Sequence, residues 1–104
     1  MLSVNLEFIE ARGNHNHDNF VLYQNRPNPF SDETAIGWEM PEASWARLTI
    51  TDFSGRVIKV IMDDYPMGYN EVILKKEELG SNQMLFYRLE TTCEIATKKM
   101  IMAD

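Results

Sequence analysis

The sequence predicts an all-β domain, an antiparallel sandwich of about seven strands, on three observations. Apolar and polar residues alternate with a period of two along most of the chain, no window of a dozen residues carries a helical stripe, and turn-forming clusters recur at close spacing. At 104 residues, with 44% hydrophobic and 25% charged content, the chain has the make-up of one globular domain with a short segment attached.

In chain order, Leu2, Val4, Leu6 and Phe8 alternate with Ser3, Asn5 and Glu7, which predicts an N-terminal strand that must find a sheet edge. Residues 11–19, ARGNHNHDN, have almost no apolar content and are expected to form a linker. The chain therefore divides into residues 1–19, a strand plus polar linker left from an upstream region, and residues 20–104, the sandwich. Directly after the linker comes LYQNRPNPF at 22–30. Pro27 and Pro29 fix φ and lack a backbone donor, and each pushes its predecessor toward extended geometry, so this stretch reads as a stiff connector into the sandwich.

The strands that follow are each amphipathic. Thr34, Ile36, Trp38 and Met40 share one face, as do Ala46, Leu48 and Ile50 in the next run. RVIKVIMD is apolar on both faces apart from Lys59, which predicts a central strand with Ile58, Val60 and Met62 inward. YNEVILK then sets Val72 with Leu74, and MLFYRLE sets Leu85, Tyr87 and Leu89 together. The last run, EIATKKMIM, alternates less cleanly, so a bulge or an edge position is expected. DFSG at 52–55 suits a type I hairpin turn, PEAS and YPMG punctuate in the same way, and KKEELG allows one short helical turn. Seven short strands after residue 19 point to an immunoglobulin-like β-sandwich.

A net charge of −6 argues against nucleic acid or an anionic membrane surface as the main partner. No run of eighteen apolar residues is present to span a bilayer, and MLSVNLEFIEARG lacks the basic and apolar regions of a signal peptide, so this stretch is not expected to start export. Cys93 is the single cysteine, expected as a small buried or half-buried hydrophobe. His15, His17 and Asp18 are the best metal candidates but supply too few ligands for a tetrahedral site, and solvated linker polarity explains them better. Adjacent Asp63 and Asp64 diverge in a strand, both histidines lie in the linker away from any Ser or Cys nucleophile, and no glycine-rich phosphate loop follows a strand. The expectation is a domain that is not an enzyme, with no cofactor, no metal and no small-molecule substrate. Trp45 and Phe53 flank turns, where exposed aromatic rings would form a contact patch.

Taken in order, FVLYQNRPNPF, TAIGWEMP, ARLTITDFSGRVIKVI, GYNEVIL, ELGSNQMLFYRLE and ATKKMIM resemble the C-terminal sorting domain of the type IX secretion system, type A, also called the Por secretion domain. The resemblance covers residues 20–102. Its motifs fall on Pro27, Asn28, Pro29 and Phe30, on Gly55 with Arg56, on Gly68, on Leu79 with Gly80, and on Tyr87. The terminal basic-apolar motif falls on Lys98, Lys99, Met100 and Ile101, the segment that the family associates with recognition by the secretion machinery. SNQMLF departs from the glycine-aromatic pair common before the penultimate strand.

The resemblance implies an immunoglobulin-like domain at the C-terminus of exported proteins of Bacteroidetes-type bacteria, with translocon components and a sortase-like cysteine protease as partners. It implies passage through the periplasm, delivery to the cell surface or medium, and removal of the domain by a cut in the residue 10–20 linker. Physically, a terminal edge strand would offer unpaired backbone groups for recognition, with two lysines to discourage self-pairing. The alternative reading is an adhesive or structural immunoglobulin-like module of a surface protein.

Overall fold

The computed structural model describes residues 19–103, and the predicted strand at 2–9, the linker histidines and Asp18 lie outside them. Seven strands form: β1 (Val21–Leu22), β2 (Glu33–Met40), β3 (Ser44–Asp52), β4 (Val57–Tyr65), β5 (Gly68–Lys75), β6 (Met84–Glu90) and β7 (Ile95–Ile101). They make two antiparallel sheets, β1-β2-β5 and β4-β3-β6-β7. The first, second and fifth strands thus oppose the third, sixth and seventh, with the fourth added beside the third, as in immunoglobulin-like sandwiches.

The alternating faces predicted for β2, β3 and β6 meet in the core. Ile36, Trp38 and Met40 from one sheet face Leu48, Ile50, Leu85, Tyr87 and Leu89 from the other, all at most 1% exposed. Each large apolar side chain removed from water in this way contributes about 1.5–3 kcal/mol. Leu79, just after a single 3-10 turn at Lys76–Glu78, closes one end of the core. Glu78 accepts the Lys75 N–H at 3.0 Å and lies 3.6 Å from Lys59, which holds that turn against β4.

The predicted 52–55 turn forms as a compact hairpin. Asp52 Oδ1 accepts the Ser54 N–H at 2.9 Å, the Ser54 hydroxyl at 2.7 Å and the Arg56 N–H at 3.0 Å. Gly55 occupies φ +91°, a conformation costly for any residue with a Cβ. Hydrogen bonding from Ser54 is the main influence holding the Asp52 carboxyl below its ordinary pKa, with the Arg56 and Ser54 N–H groups and the Arg56 charge adding to it against partial desolvation.

Two expectations are corrected. The run at 57–65 is not a central strand: β4 is the outer strand of its sheet, and a bulge opposite Ile50 and Thr51 changes which residues face inward. Ile58 and Ile61 pack on the core, while Val60 and Met62 are 51% and 59% exposed. Two-sided apolarity here reflects a bulged edge rather than burial on both faces. Cys93 is exposed, because it sits in the β6–β7 turn, where Thr91 Oγ1 accepts the Cys93 and Glu94 N–H groups.

The stretch at 22–30 does more than connect. Tyr23 and Arg26 bond to β2 through Gly37 and Ala35, and four residues later Phe30 bridges in parallel to Met102, just beyond β7. The chain therefore changes sheets between Arg26 and Phe30. Pro27 and Pro29, both preceded by cis peptide bonds, occupy that crossing, where neither sheet requires their missing N–H.

Candidate functional site

The resemblance singles out residues at the two ends of the domain, and the sheet crossing brings these ends together. Phe30 donates its N–H to the Ile101 carbonyl at 3.1 Å and accepts the Ala103 N–H at 2.7 Å. Asn28 Oδ1 accepts the Ile101 N–H at 2.9 Å, and Gln24 Nε2 donates to the Lys99 carbonyl at 2.7 Å. Met102 N–H bonds inward to Gln83, so the odd-numbered residues of the last strand direct their backbone groups outward, where these four contacts take them. The expectation that the terminal edge strand offers unpaired backbone groups is corrected at this end: β7 is an edge strand, but its backbone from Lys99 to Ala103 is laced to residues 24–30. Outward backbone groups at Ile95 and Thr97 have no such partner among the described residues.

The terminal motif divides by face. Met100 is wholly buried, Lys98 and Ile101 are half-buried, and Lys99 is exposed. Lys98 lies on the core-facing side of an edge strand, a placement that discourages pairing with other chains. Removing residues 98–104 would take Met100 and Met102 out of the core along with any recognition residues.

Beneath the crossing lies a buried polar knot. Tyr87, 0% exposed, donates its hydroxyl to the Tyr23 carbonyl at 2.8 Å and accepts the Asn25 N–H at 2.9 Å. Asn25 Nδ2 donates to Thr34 Oγ1 at 3.0 Å and to the Pro27 carbonyl at 3.1 Å, and the Thr34 hydroxyl also donates to Pro27 at 2.9 Å. Burial pushes the Tyr87 phenol up to about 12, with the Asn25 N–H opposing it. Asn25, which the sequence reading left without a role, and Thr34, which it placed only on the inward face of β2, fix the position of the Pro27 carbonyl at the crossing. The signal was weak: at Thr34 a polar residue on an otherwise apolar alternating face, and at Asn25 an asparagine in a proline-rich stretch without strand alternation.

The remaining motif residues sit at turns and in the core. Gly55, Gly68 and Gly80 are the three glycines with positive φ among the described residues, Leu79 is fully buried, and Arg56 lies 3.3 Å from the Asp52 carboxylate. Phe53 is 78% exposed at the tip of the β3–β4 hairpin, whereas Trp45 is half-buried. A search of family models and of curated proteins gives no match to this chain.

Proposed function

We propose that residues 20–104 are a C-terminal sorting domain that directs an exported cargo through the type IX outer-membrane translocon. In this reading the domain is recognised in folded form and then removed by a sortase-like cysteine protease at the residue 10–20 linker. The cargo passes through the periplasm and ends at the cell surface or in the medium. The observation that carries the reading is the lacing of Asn28 and Phe30 to Ile101 and Ala103. A terminal recognition segment must be presented in one geometry, and chain ends fray unless tied down. The motif at the start of the domain supplies that tie.

The coincidence of the three positive-φ glycines with the glycine landmarks of the resemblance is a second support. The test is a reporter with a signal peptide fused to residues 10–104 and expressed in a type IX host. Surface delivery is expected, and periplasmic retention of a folded fusion would refute the proposal. An adhesive immunoglobulin-like module, the competing reading, predicts instead that the mature surface protein keeps the domain.

A further inference from the structure

The outer face of the β1-β2-β5 sheet carries a groove of about 610 Å³ lined by Tyr23, Gln24, Arg26, Glu39, Tyr69 and Glu71, within the size range of small-ligand sites. Its form follows from Gly37. A side chain at that central strand position would collide with Tyr69, so the absence of a Cβ lets the tyrosine ring lie across the sheet as a floor. Tyr23 stands beside it, ring centroids 6.2 Å apart and planes inclined at 44°. Tyr69 and Tyr23 remain 48% and 40% exposed. At that spacing nothing fits between the rings, so a ligand stacks over them.

The polar groups form two similar halves. In one, the Tyr69 hydroxyl donates to Glu71 Oε1 at 2.9 Å, and Arg26 donates to the same hydroxyl at 3.2 Å while lying 3.6 Å from Glu71. In the other, the Tyr23 hydroxyl reaches Glu39 Oε2 at 3.4 Å, and no cation accompanies this pair among the described residues. Glu39 is half-buried on the central strand between Val21 and Tyr69. The groove thus holds two carboxylates against one guanidinium, and its first half already displays how a tyrosine–carboxylate pair receives an arginine. Hydrogen bonding to Glu71 raises the Tyr69 pKa, and desolvation followed by the charge of Glu39 raises that of Tyr23, so both phenols stay protonated and donate to the carboxylates at neutral pH.

We infer that this groove binds an arginine side chain of an extended partner peptide, with the guanidinium on Glu39, its plane stacked over the Tyr69 ring and the tilted Tyr23 ring alongside. The excess carboxylate supplies charge complementarity, the ring faces supply cation–π attraction, and a planar fork of donors matches the carboxylate. A groove larger than one side chain leaves room for the residues flanking that arginine. The site lies on the other sheet from the terminal strand, which it meets only through Gln24, and the inference does not rest on the sorting reading.

The test is titration of the isotope-labelled full chain with N-acetyl-arginine amide, followed by NMR. Amide shifts are expected at Gly37, Glu39, Tyr69 and Glu71, with a Kd on the order of a few millimolar that weakens as salt rises. Tyr69→Ala and Glu39→Gln, both at solvent-facing positions, should each weaken binding about 2–5-fold, the range for cation–π and ion-pair contacts at exposed sites. The neutral citrulline analogue should leave the spectrum unchanged. Equal shifts from arginine and citrulline analogues would overturn the inference, as would a response to methyl glucopyranoside with arginine silent, or variants that bind as the parent does.

Discussion

Replacing Tyr87 by Phe tests the polar knot under the sheet crossing with almost no change in side-chain volume. The substitution removes two hydrogen bonds, at 2.8 and 2.9 Å. Both the Tyr23 carbonyl and the Asn25 N–H lose their partner, and because Asn25 is 2% exposed its N–H is stranded. A net loss of about 1 kcal/mol for a hydrogen bond, plus about 1–2 kcal/mol for the stranded donor, gives a destabilisation of about 2–3 kcal/mol. For 85 described residues the whole stability is roughly 4–13 kcal/mol, so the loss is a large share of it. The melting temperature should fall by roughly 10–20 °C. Urea unfolding followed by fluorescence of Trp38 and Trp45 should show a lower midpoint at an unchanged m-value, because the core apolar surface is retained. Hydrogen exchange at the Asn25 amide should accelerate beyond the global loss. A stability change below about 0.5 kcal/mol with Asn25 still protected would refute the reasoning, since a buried donor without a partner cannot be that cheap.

Three further outcomes are expected. The Tyr87 phenol is raised from 10.0 to about 12 by burial, so the folded state keeps this proton more tightly than the unfolded chain. Stability is intact below pH ~10 and falls by up to ~1.4 kcal/mol per pH unit as pH rises toward ~12, and this loss should be absent in Tyr87→Phe when urea midpoints are compared across that window. Asp52 has the opposite sign: its carboxyl is held low chiefly by the Ser54 hydroxyl, so its contribution is present above the unfolded carboxyl pKa and lost as pH falls through the lower folded one. Asp52→Asn should therefore flatten the acid limb of a stability–pH curve, and an unchanged limb would contradict the assignment. Met62→Lys on the outer face of β4 should change stability by no more than about 0.5 kcal/mol in urea unfolding, whereas Ile50→Ala in the core should cost about 2–5 kcal/mol.

Much of the fold was legible because period-two patterning reports burial directly. Ile36, Trp38 and Met40 on β2, and Leu85, Tyr87 and Leu89 on β6, all fall where alternation places them. The reading failed at β4 because it took a run apolar on both faces as a sign of burial on both faces. A bulge at Ile58 shifts the inward set to Ile61, and no local pattern reveals whether another strand lies outside. The exposure of Cys93 was hidden for a similar reason, since composition alone does not mark the tip of a turn. Pro27 and Pro29 announced a special backbone, but the crossing they make depends on β7, some seventy residues away. The aromatic groove was invisible because Gly37 and Tyr69 meet only once β2 and β5 are paired.

The terminal strand gives the most direct test of the central claim. Deleting residues 98–104 would confound recognition with folding, because Met100 and Met102 are core residues. Lys99→Glu instead changes an exposed side chain while sparing both the core and the backbone contacts to Gln24, Asn28 and Phe30. In a type IX host, an exported reporter fused to residues 10–104 should reach the cell surface. The same fusion carrying Lys99→Glu, with its melting temperature shown to be unchanged, should accumulate in the periplasm. Surface delivery of that variant at the parental level would contradict the role given to the terminal strand, and periplasmic retention of the folded parent would contradict the sorting function itself.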